Sequence, residues 1–69
     1  MSISVLINGQ SNNIAEGTSL LTLLEKLDID PGRVAVEYNM EIVNKSNFND
    51  TVLKENDTLE IITFVGVGI

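Results

Sequence analysis

The sequence predicts an α+β fold in which a mixed, mostly antiparallel sheet of four to five strands packs on one helix. Residues 2–14 alternate apolar and polar side chains around Asn8-Gly9, which is typical of a β-hairpin. Residues 19–27 change to the apolar spacing of an amphipathic helix. Residues 34–65 return to short β-forming runs separated by polar turns. The helix must cover one face of the sheet, because neither element is stable without burying its apolar side.

The N-terminal hairpin is the first element. Apolar side chains recur at every second position from Ile3 to Ile7, the period of a half-buried strand. Asn8-Gly9 supplies two residues that tolerate positive φ, as a two-residue hairpin turn requires. A second strand over Gln10 to Ile14 should therefore return antiparallel to the first.

The helix is predicted over Ser19 to Leu27, with Thr18 as its N-cap. Pro31 disfavours helical φ and ψ at the residue before it, so the helix should end within residues 28–32. One face carries an apolar stripe of four leucines: Leu20, Leu23, Leu24 and Leu27.

The second half of the chain predicts three more strands. Val34–Tyr38 and Glu41–Val43 flank a tight turn at Asn39-Met40, and Phe48 should anchor the polar loop that follows. The last strand is predicted over Thr58–Val65. This order is that of the β-grasp arrangement, in which the first and last strands lie side by side and parallel.

The composition restricts the function. The 69 residues allow one domain, predicted over 1–65, with residues 66–69 as a flexible C-terminal arm. A net charge of −6 disfavours nucleic acid, which needs clustered Lys and Arg. The acidic surface favours docking on a basic protein face, or it only maintains solubility.

The sequence shows no signal for a membrane or for secretion. No apolar run approaches the roughly 20 residues that span a bilayer, and the start does not resemble a secretory signal. We expect a cytoplasmic protein that binds no membrane.

The chain lacks the residues of most catalytic sites. It has no His and no Cys, so imidazole bases, thiolate nucleophiles and the usual zinc ligands are missing. Asp28 and Asp30 flank the predicted helix end without the further oxygen ligands of a Ca²⁺ loop, and we assign them capping and turn roles. The sequence therefore predicts no enzyme activity, no metal site and no cofactor.

The C-terminal segment carries the most distinctive candidate group. The last β-forming run gives way to alternating glycines, Gly66 and Gly68, and the sequence finishes at Ile69. A short arm with small side chains can enter another protein's active site, which makes the terminal carboxylate a candidate reactive group. The alternative is a frayed terminus without a function.

An exposed apolar cluster is predicted on the sheet. Glu60 indicates that its face of the last strand meets solvent, and Ile62 and Phe64 share that face. Leu6 lies nearby if the first and last strands are neighbours. Clusters of this kind usually mark contact sites, so we predict that Leu6, Ile62 and Phe64 dock a partner. The alternative is that Phe64 folds back over a small second core.

These residues together resemble the sulfur carrier protein of thiamine biosynthesis. The resemblance covers essentially the whole chain, in the right order and length. It is carried by the Asn8-Gly9 hairpin, the leucine-rich helix, Val34–Asn39, Glu41–Val43, Thr51–Leu53, Asp57-x-Leu59-Glu60-Ile61 and Ile62–Gly66.

The resemblance implies a ubiquitin-like β-grasp fold and a role as a protein co-substrate. In that family the C-terminal carboxylate is adenylated with ATP by a partner enzyme related to ubiquitin-activating enzymes. The adenylate is then converted to a thiocarboxylate, which delivers sulfur to thiazole synthase. The catalytic groups reside in the partners, in agreement with the lack of His and Cys here.

The sequence departs from that family at two places. The family's chains end in Gly-Gly, whereas this one ends Gly66-Val67-Gly68-Ile69. Activation is expected at Ile69 as written, or at Gly68 after trimming, with Gly66 and Val67 in the arm. Met40 stands where the family usually has glycine; because positive φ is costly there, a different turn type is predicted.

Two other functions remain open. The small carrier subunit of molybdopterin synthase has the same fold and terminal chemistry, although it is usually somewhat longer. A β-grasp interaction module without sulfur chemistry is favoured by Val67 and Ile69. Co-purification with thiazole synthase or with the large molybdopterin synthase subunit distinguishes the first two. Failure of every adenylating enzyme to modify the chain indicates the third.

Overall fold

The chain forms a five-stranded mixed sheet with one α-helix, as a computed structural model describes for residues 1–64. The order across the sheet is β2-β1-β5-β3-β4. The central pair, β1 and β5, is parallel, and the other neighbours are antiparallel. The predicted β-grasp arrangement is thereby confirmed. The elements are β1 (Ser2–Ile7), β2 (Gln10–Ala15), α1 (Leu20–Lys26), β3 (Val34–Tyr38), β4 (Glu41–Val43) and β5 (Thr58–Thr63), with 3₁₀ turns at Pro31–Arg33 and Lys45–Asn47.

The hydrophobic core lies between α1 and one face of the sheet. Phe48 enters this core from the loop after β4, as predicted. The opposite face, called here the outer face, is not covered by any helix among residues 1–64. The buried apolar residues are Ile3, Val5, Leu20, Leu23, Leu24, Val34, Val36, Phe48, Leu53, Leu59 and Ile61.

The ends of α1 differ from the prediction. Ser19, not Thr18, is the N-cap, because the Ser19 hydroxyl accepts a hydrogen bond from the backbone N–H of Thr22 at 3.1 Å. The Thr18 hydroxyl instead donates to the carbonyl of Ala15 at 2.6 Å. Leu27 is the C-cap and is exposed, so it does not extend the buried stripe.

The helix ends through a Schellman motif and not through Pro31. Asp28 has a φ of +59°, and the N–H of Ile29 donates to the carbonyl of Leu24 at 2.9 Å. Pro31 begins the following 3₁₀ turn, where the Asp30 side chain accepts from the N–H of Gly32 at 2.9 Å. Asp28 and Asp30 therefore have the capping and turn roles that the sequence predicts.

The second hairpin turn contradicts the predicted change of turn type. Asn39 and Met40 both have positive φ, +49° and +76°, as in a type I′ turn. The surrounding bonds hold the chain in this conformation. Asn39 donates its N–H to the carbonyl of Thr58 at 2.8 Å, and its side-chain oxygen accepts from the N–H of Thr58 at 2.9 Å. The hydrogen bonds between Asn39 and Thr58 on β5 offset the conformational free energy that positive φ costs at Met40.

Met40→Gly is expected to raise the free energy of unfolding by about 1 kcal/mol, because glycine adopts positive φ without a Cβ clash. The Met40 side chain is exposed, so little packing is lost. Urea denaturation measures the change, with Met40→Ala as the control that removes the side chain and keeps the Cβ. Equal stabilities of the two variants would contradict strain at this position.

Two predicted segments, the last strand and the C-terminal arm, extend beyond the residues that the structure describes. The last strand was predicted over 58–65 and is described over Thr58–Thr63, with Val65 and the predicted arm 66–69 outside the described residues. Within residues 1–64, no helix is long and apolar enough to cross a membrane.

Candidate functional site

The three residues predicted to dock a partner are all partly exposed. The exposed fractions are 41% for Leu6, 51% for Ile62 and 49% for Phe64. Leu6 on β1 follows the buried Val5, and Ile62 on β5 follows the buried Ile61, so both side chains lie on the outer face. Phe64 follows β5 directly, and its N–H donates to the carbonyl of Arg33 at 2.9 Å.

The strand register separates Leu6 from Ile62. Leu6 pairs with Thr58, whereas Ile62 pairs with Ala35 on the other side of β5. Four residues along β5 correspond to about 13 Å, and Glu60 lies between the two levels. The apolar part of the outer face is therefore divided by an acidic row.

That acidic row was missed by sequence reasoning. Glu37 on β3 and Glu60 on β5 are directly paired, which sets their Cβ atoms about 5 Å apart on the outer face. Ile42 on β4 pairs with Glu37 and is 76% exposed, so it ends the row at the sheet edge. Both glutamates were visible in the sequence, but only the register of β3 against β5 brings them together.

Strand β5 is held on its β1 side by the side chain of Asn8. Its amide oxygen accepts from the N–H of Ile61 at 2.7 Å, and its amide nitrogen donates to the carbonyl of Ile61 at 3.2 Å. The Asn8 backbone N–H donates to the carbonyl of Leu59 at 2.9 Å. Asn8 thus extends the pairing of β5 beyond the end of β1, toward the end of β5 at Thr63.

The start of β5 is held by the buried carboxylate of Asp57. Its Oδ2 accepts from the Tyr38 hydroxyl at 2.6 Å and from the N–H of Lys54 at 2.7 Å. Its Oδ1 accepts from the side-chain nitrogen of Asn39 at 3.2 Å. This network joins the turn before β5 to the β3–β4 hairpin.

The network changes the pKa of both acidic groups. Burial alone would raise the pKa of Asp57, but hydrogen bonds from Tyr38, Asn39 and Lys54, together with the Lys54 charge, outweigh it and hold that pKa below 3.8. Burial, and then the bond and charge of Asp57, raise the pKa of Tyr38 to about 12. At neutral pH the pair is therefore a neutral phenol donating to a carboxylate.

A cleft of about 240 Å³ lies where β5 ends. It separates the end of α1 and the following 3₁₀ turn from the end of the strand. Arg33 at its rim pairs with Asp30 at 3.5 Å, which is the only ion pair found within residues 1–64. The residues that line the cleft are Asp28, Ile29, Asp30, Arg33, Val34, Thr63 and Phe64.

The predicted activation residues, Gly68 and Ile69, and the predicted arm residues, Gly66 and Val67, lie outside the described residues. The described part of the chain contains no group of three or more acidic side chains that could hold a metal ion. Residues 1–64 provide a five-stranded sheet whose outer face is not covered by a helix of the described chain.

Comparison with known proteins identifies the family. The model of the ThiS family matches residues 5–68, which includes Gly66 and Gly68. The chain belongs to the ThiS family. This confirms the resemblance inferred from the sequence, to small sulfur carriers of thiamine biosynthesis, which are not catalytic enzymes.

A solved structure supports the same fold. The crystal structure of the thiamine biosynthesis protein ThiS from Geobacter metallireducens superposes with a TM-score of 0.82 at 29% identity. The match covers 96% of this chain and 100% of that one.

The sequence relatives are of two kinds. The chain is 44% identical over 66 residues to an uncharacterized protein, ycf40, of Pyropia yezoensis, covering 96% of this chain and 93% of that protein. It is 38% identical over 66 residues to a protein of Paramagnetospirillum magneticum named thiazole synthase. That match covers 96% of this chain but only 20% of the synthase, so the chain spans about a fifth of that relative.

Proposed function

We propose that this ThiS-family chain carries sulfur as a thiocarboxylate at its own C-terminus. A partner enzyme related to ubiquitin-activating enzymes transfers the adenylyl group of ATP to the terminal carboxylate, with release of pyrophosphate. A donor that supplies sulfur at the sulfide level, such as hydrosulfide, then attacks the acyl carbon. The new C–S bond forms as the C–O bond to AMP breaks, AMP leaves, and the product is a thiocarboxylate with no change of oxidation state. Thiazole synthase accepts that sulfur. The reacting group is on Ile69 as the chain is written, or on Gly68 after trimming.

The observation that carries the proposal is the family match over residues 5–68, because it extends through the described fold into the glycine-containing tail. The chemistry is consistent with the composition. A carboxylate is a poor electrophile and adenylation gives it a good leaving group, while the catalytic groups reside in partners. If Gly68 or Ile69 carries the reacting carboxylate, as proposed, the residues that join it to Phe64 span at most about 18 Å. A partner acting on that carboxylate must then lie close to the end of β5.

The thiazole synthase relatives support the choice of recipient. In the Paramagnetospirillum magneticum protein, one chain contains both a region similar to this one and the rest of a thiazole synthase. A carrier and its recipient that are joined in one chain are held at a high effective concentration. We therefore assign the thiamine pathway and not molybdopterin synthesis to this chain.

The experiment is complementation of a bacterial strain that lacks its own thiamine sulfur carrier. We expect this chain to restore growth without added thiazole, and a chain lacking residues 66–69 to fail. Growth with the shortened chain would contradict a terminal thiocarboxylate. Failure of the full chain, with a Gly-Gly-ended version that restores growth, would favour the interaction module suggested by Val67 and Ile69.

If the adenylating enzyme docks on Ile62 and Phe64, the change Phe64→Asp should weaken its binding about tenfold. A buried charge at the interface would lack a partner, whereas the half-exposed position of Phe64 allows the domain to stay folded. Leu27→Asp is the matched control, since Leu27 is 42% exposed and lies at the C-cap of α1. Titration calorimetry measures both affinities; equal effects of the two variants would contradict docking at Phe64.

A further inference from the structure

The outer face combines features that specify what can cover it. Glu37 and Glu60 are directly paired, and two exposed isoleucines adjoin this pair: Ile42 beside Glu37 on β4, and Ile62 two residues after Glu60 on β5. Neither glutamate forms an ion pair with any cation of residues 1–64. Like charges directly opposite each other destabilise a sheet, so this arrangement costs the isolated domain stability. Features that destabilise the isolated fold, such as this pair of like charges, are expected at sites that serve binding.

The charge distribution indicates the chemistry of the occupant. The chain carries ten acidic and four basic residues, so a second copy of it would oppose acid with acid on this face. A partner with a basic side chain set among apolar ones complements the surface. One arginine can reach both carboxylates, because its guanidinium group presents several donors in a fixed plane.

We infer that the outer face binds thiazole synthase through one basic side chain of that enzyme, seated between Glu37 and Glu60 with Ile42 and Ile62 packed around it. This rests on the proposed function, which supplies the partner. The position is suitable because Ile62 and Glu60 lie on β5, the strand that continues into the C-terminal segment. Binding here brings the terminus to the enzyme that consumes its sulfur, and relieves the repulsion within the acidic pair.

The test uses Glu37→Gln, Glu60→Gln and the double variant, with Glu25→Gln on the opposite, helical side as the control. We expect each outer-face variant to weaken the affinity for purified thiazole synthase about tenfold. The double variant should weaken the affinity by a factor smaller than the product of the two single-variant factors, because both glutamates bind the same cation. The same variants should raise the melting temperature by about 2 °C, because the repulsion is removed. Glu25→Gln should leave the affinity unchanged.

The outcomes separate this inference from the proposed function. Wild-type affinity in the Glu37 and Glu60 variants overturns the inference and leaves the sulfur-carrier role standing. Weakened binding of the adenylating enzyme alone, with thiazole synthase unaffected, overturns the choice of occupant. If the wild-type chain does not bind thiazole synthase at all, the recipient assigned above fails and the inference fails with it.

Discussion

Asp57→Asn is expected to lower the free energy of unfolding by about 2–3 kcal/mol, because a buried and hydrogen-bonded carboxylate is replaced by an amide that cannot satisfy the same donors. Tyr38 and Lys54 donate to Oδ2, and Asn39 donates to Oδ1. An amide in either orientation turns its NH₂ toward one of these donors. Rotating the Asn39 amide does not help, because its oxygen already accepts from Thr58. Urea denaturation at neutral pH measures the loss.

Asp50→Asn is the control, because Asp50 is exposed and its replacement removes the same charge. Its effect should lie within about 0.5 kcal/mol of zero. A comparable loss in both variants would show that net charge, and not the Asp57 network, determines the result.

The pH dependence gives an independent check. Because the pKa of Asp57 is lowered by folding, its contribution to stability is present above its ordinary value of 3.8 and is lost as the pH falls through the lower folded pKa. The difference in stability between wild type and Asp57→Asn should therefore narrow in acid. The pKa of Tyr38 is raised from 10.0 to about 12, so its contribution is present below 10.0 and is lost as the pH rises through 12. A difference that stays constant from neutral pH to well below 3.8 would contradict the assignment to Asp57.

Asn8→Ala is expected to lower the free energy of unfolding by about 2 kcal/mol. The substitution removes both side-chain hydrogen bonds to Ile61. It also places alanine at a φ of +50°, a conformation that asparagine tolerates better because its side chain can form local hydrogen bonds. Amide hydrogen exchange should be fastest relative to wild type at Ile61, whose N–H loses its acceptor. The lost bonds hold β5 at Ile61, two residues before the strand ends, so the variant should also load less sulfur at elevated temperature.

Asn8→Gly separates the two causes. Glycine tolerates positive φ but supplies no amide, so this variant should lose about 1 kcal/mol. Asn13→Ala on β2 is the control; it changes an exposed asparagine with no side-chain bond found in the described structure and should have little effect. Full stability of Asn8→Gly would show that the bonds to Ile61 contribute nothing.

Most of the fold could be predicted because its elements have strong local signals. The alternation in β1, the Asn8-Gly9 turn and the leucine stripe of α1 each specify one structure. The details that failed depend on tertiary contacts. Asn39-Met40 adopts the turn that its sequence disfavours because Thr58 and Asp57 bind Asn39. The helix ends at Lys26 with Leu27 as its C-cap, because backbone bonds from Asp28 and Ile29 close its last turn before Pro31 is reached.

The candidate site was predictable only in part. Alternation along β5 was enough to place Ile62 on an exposed face, and the position of Leu6 followed from the pairing of the first and last strands. The pairing of Glu37 with Glu60 could not be read from the sequence, because it depends on the register between two strands more than twenty positions apart. The same register separates Leu6 from Ile62, which composition and spacing could not reveal.

The intact mass of the chain, measured after incubation with the adenylating enzyme, ATP and a sulfur donor, tests the central claim most directly. We predict a mass gain equal to the exchange of one oxygen for one sulfur, on the full chain or on the chain that has lost Ile69. A gain on the full chain identifies Ile69 as the reacting residue, and a gain on the shortened chain identifies Gly68. No gain on either form, with an enzyme that converts a Gly-Gly-ended control, would contradict sulfur transport by this chain.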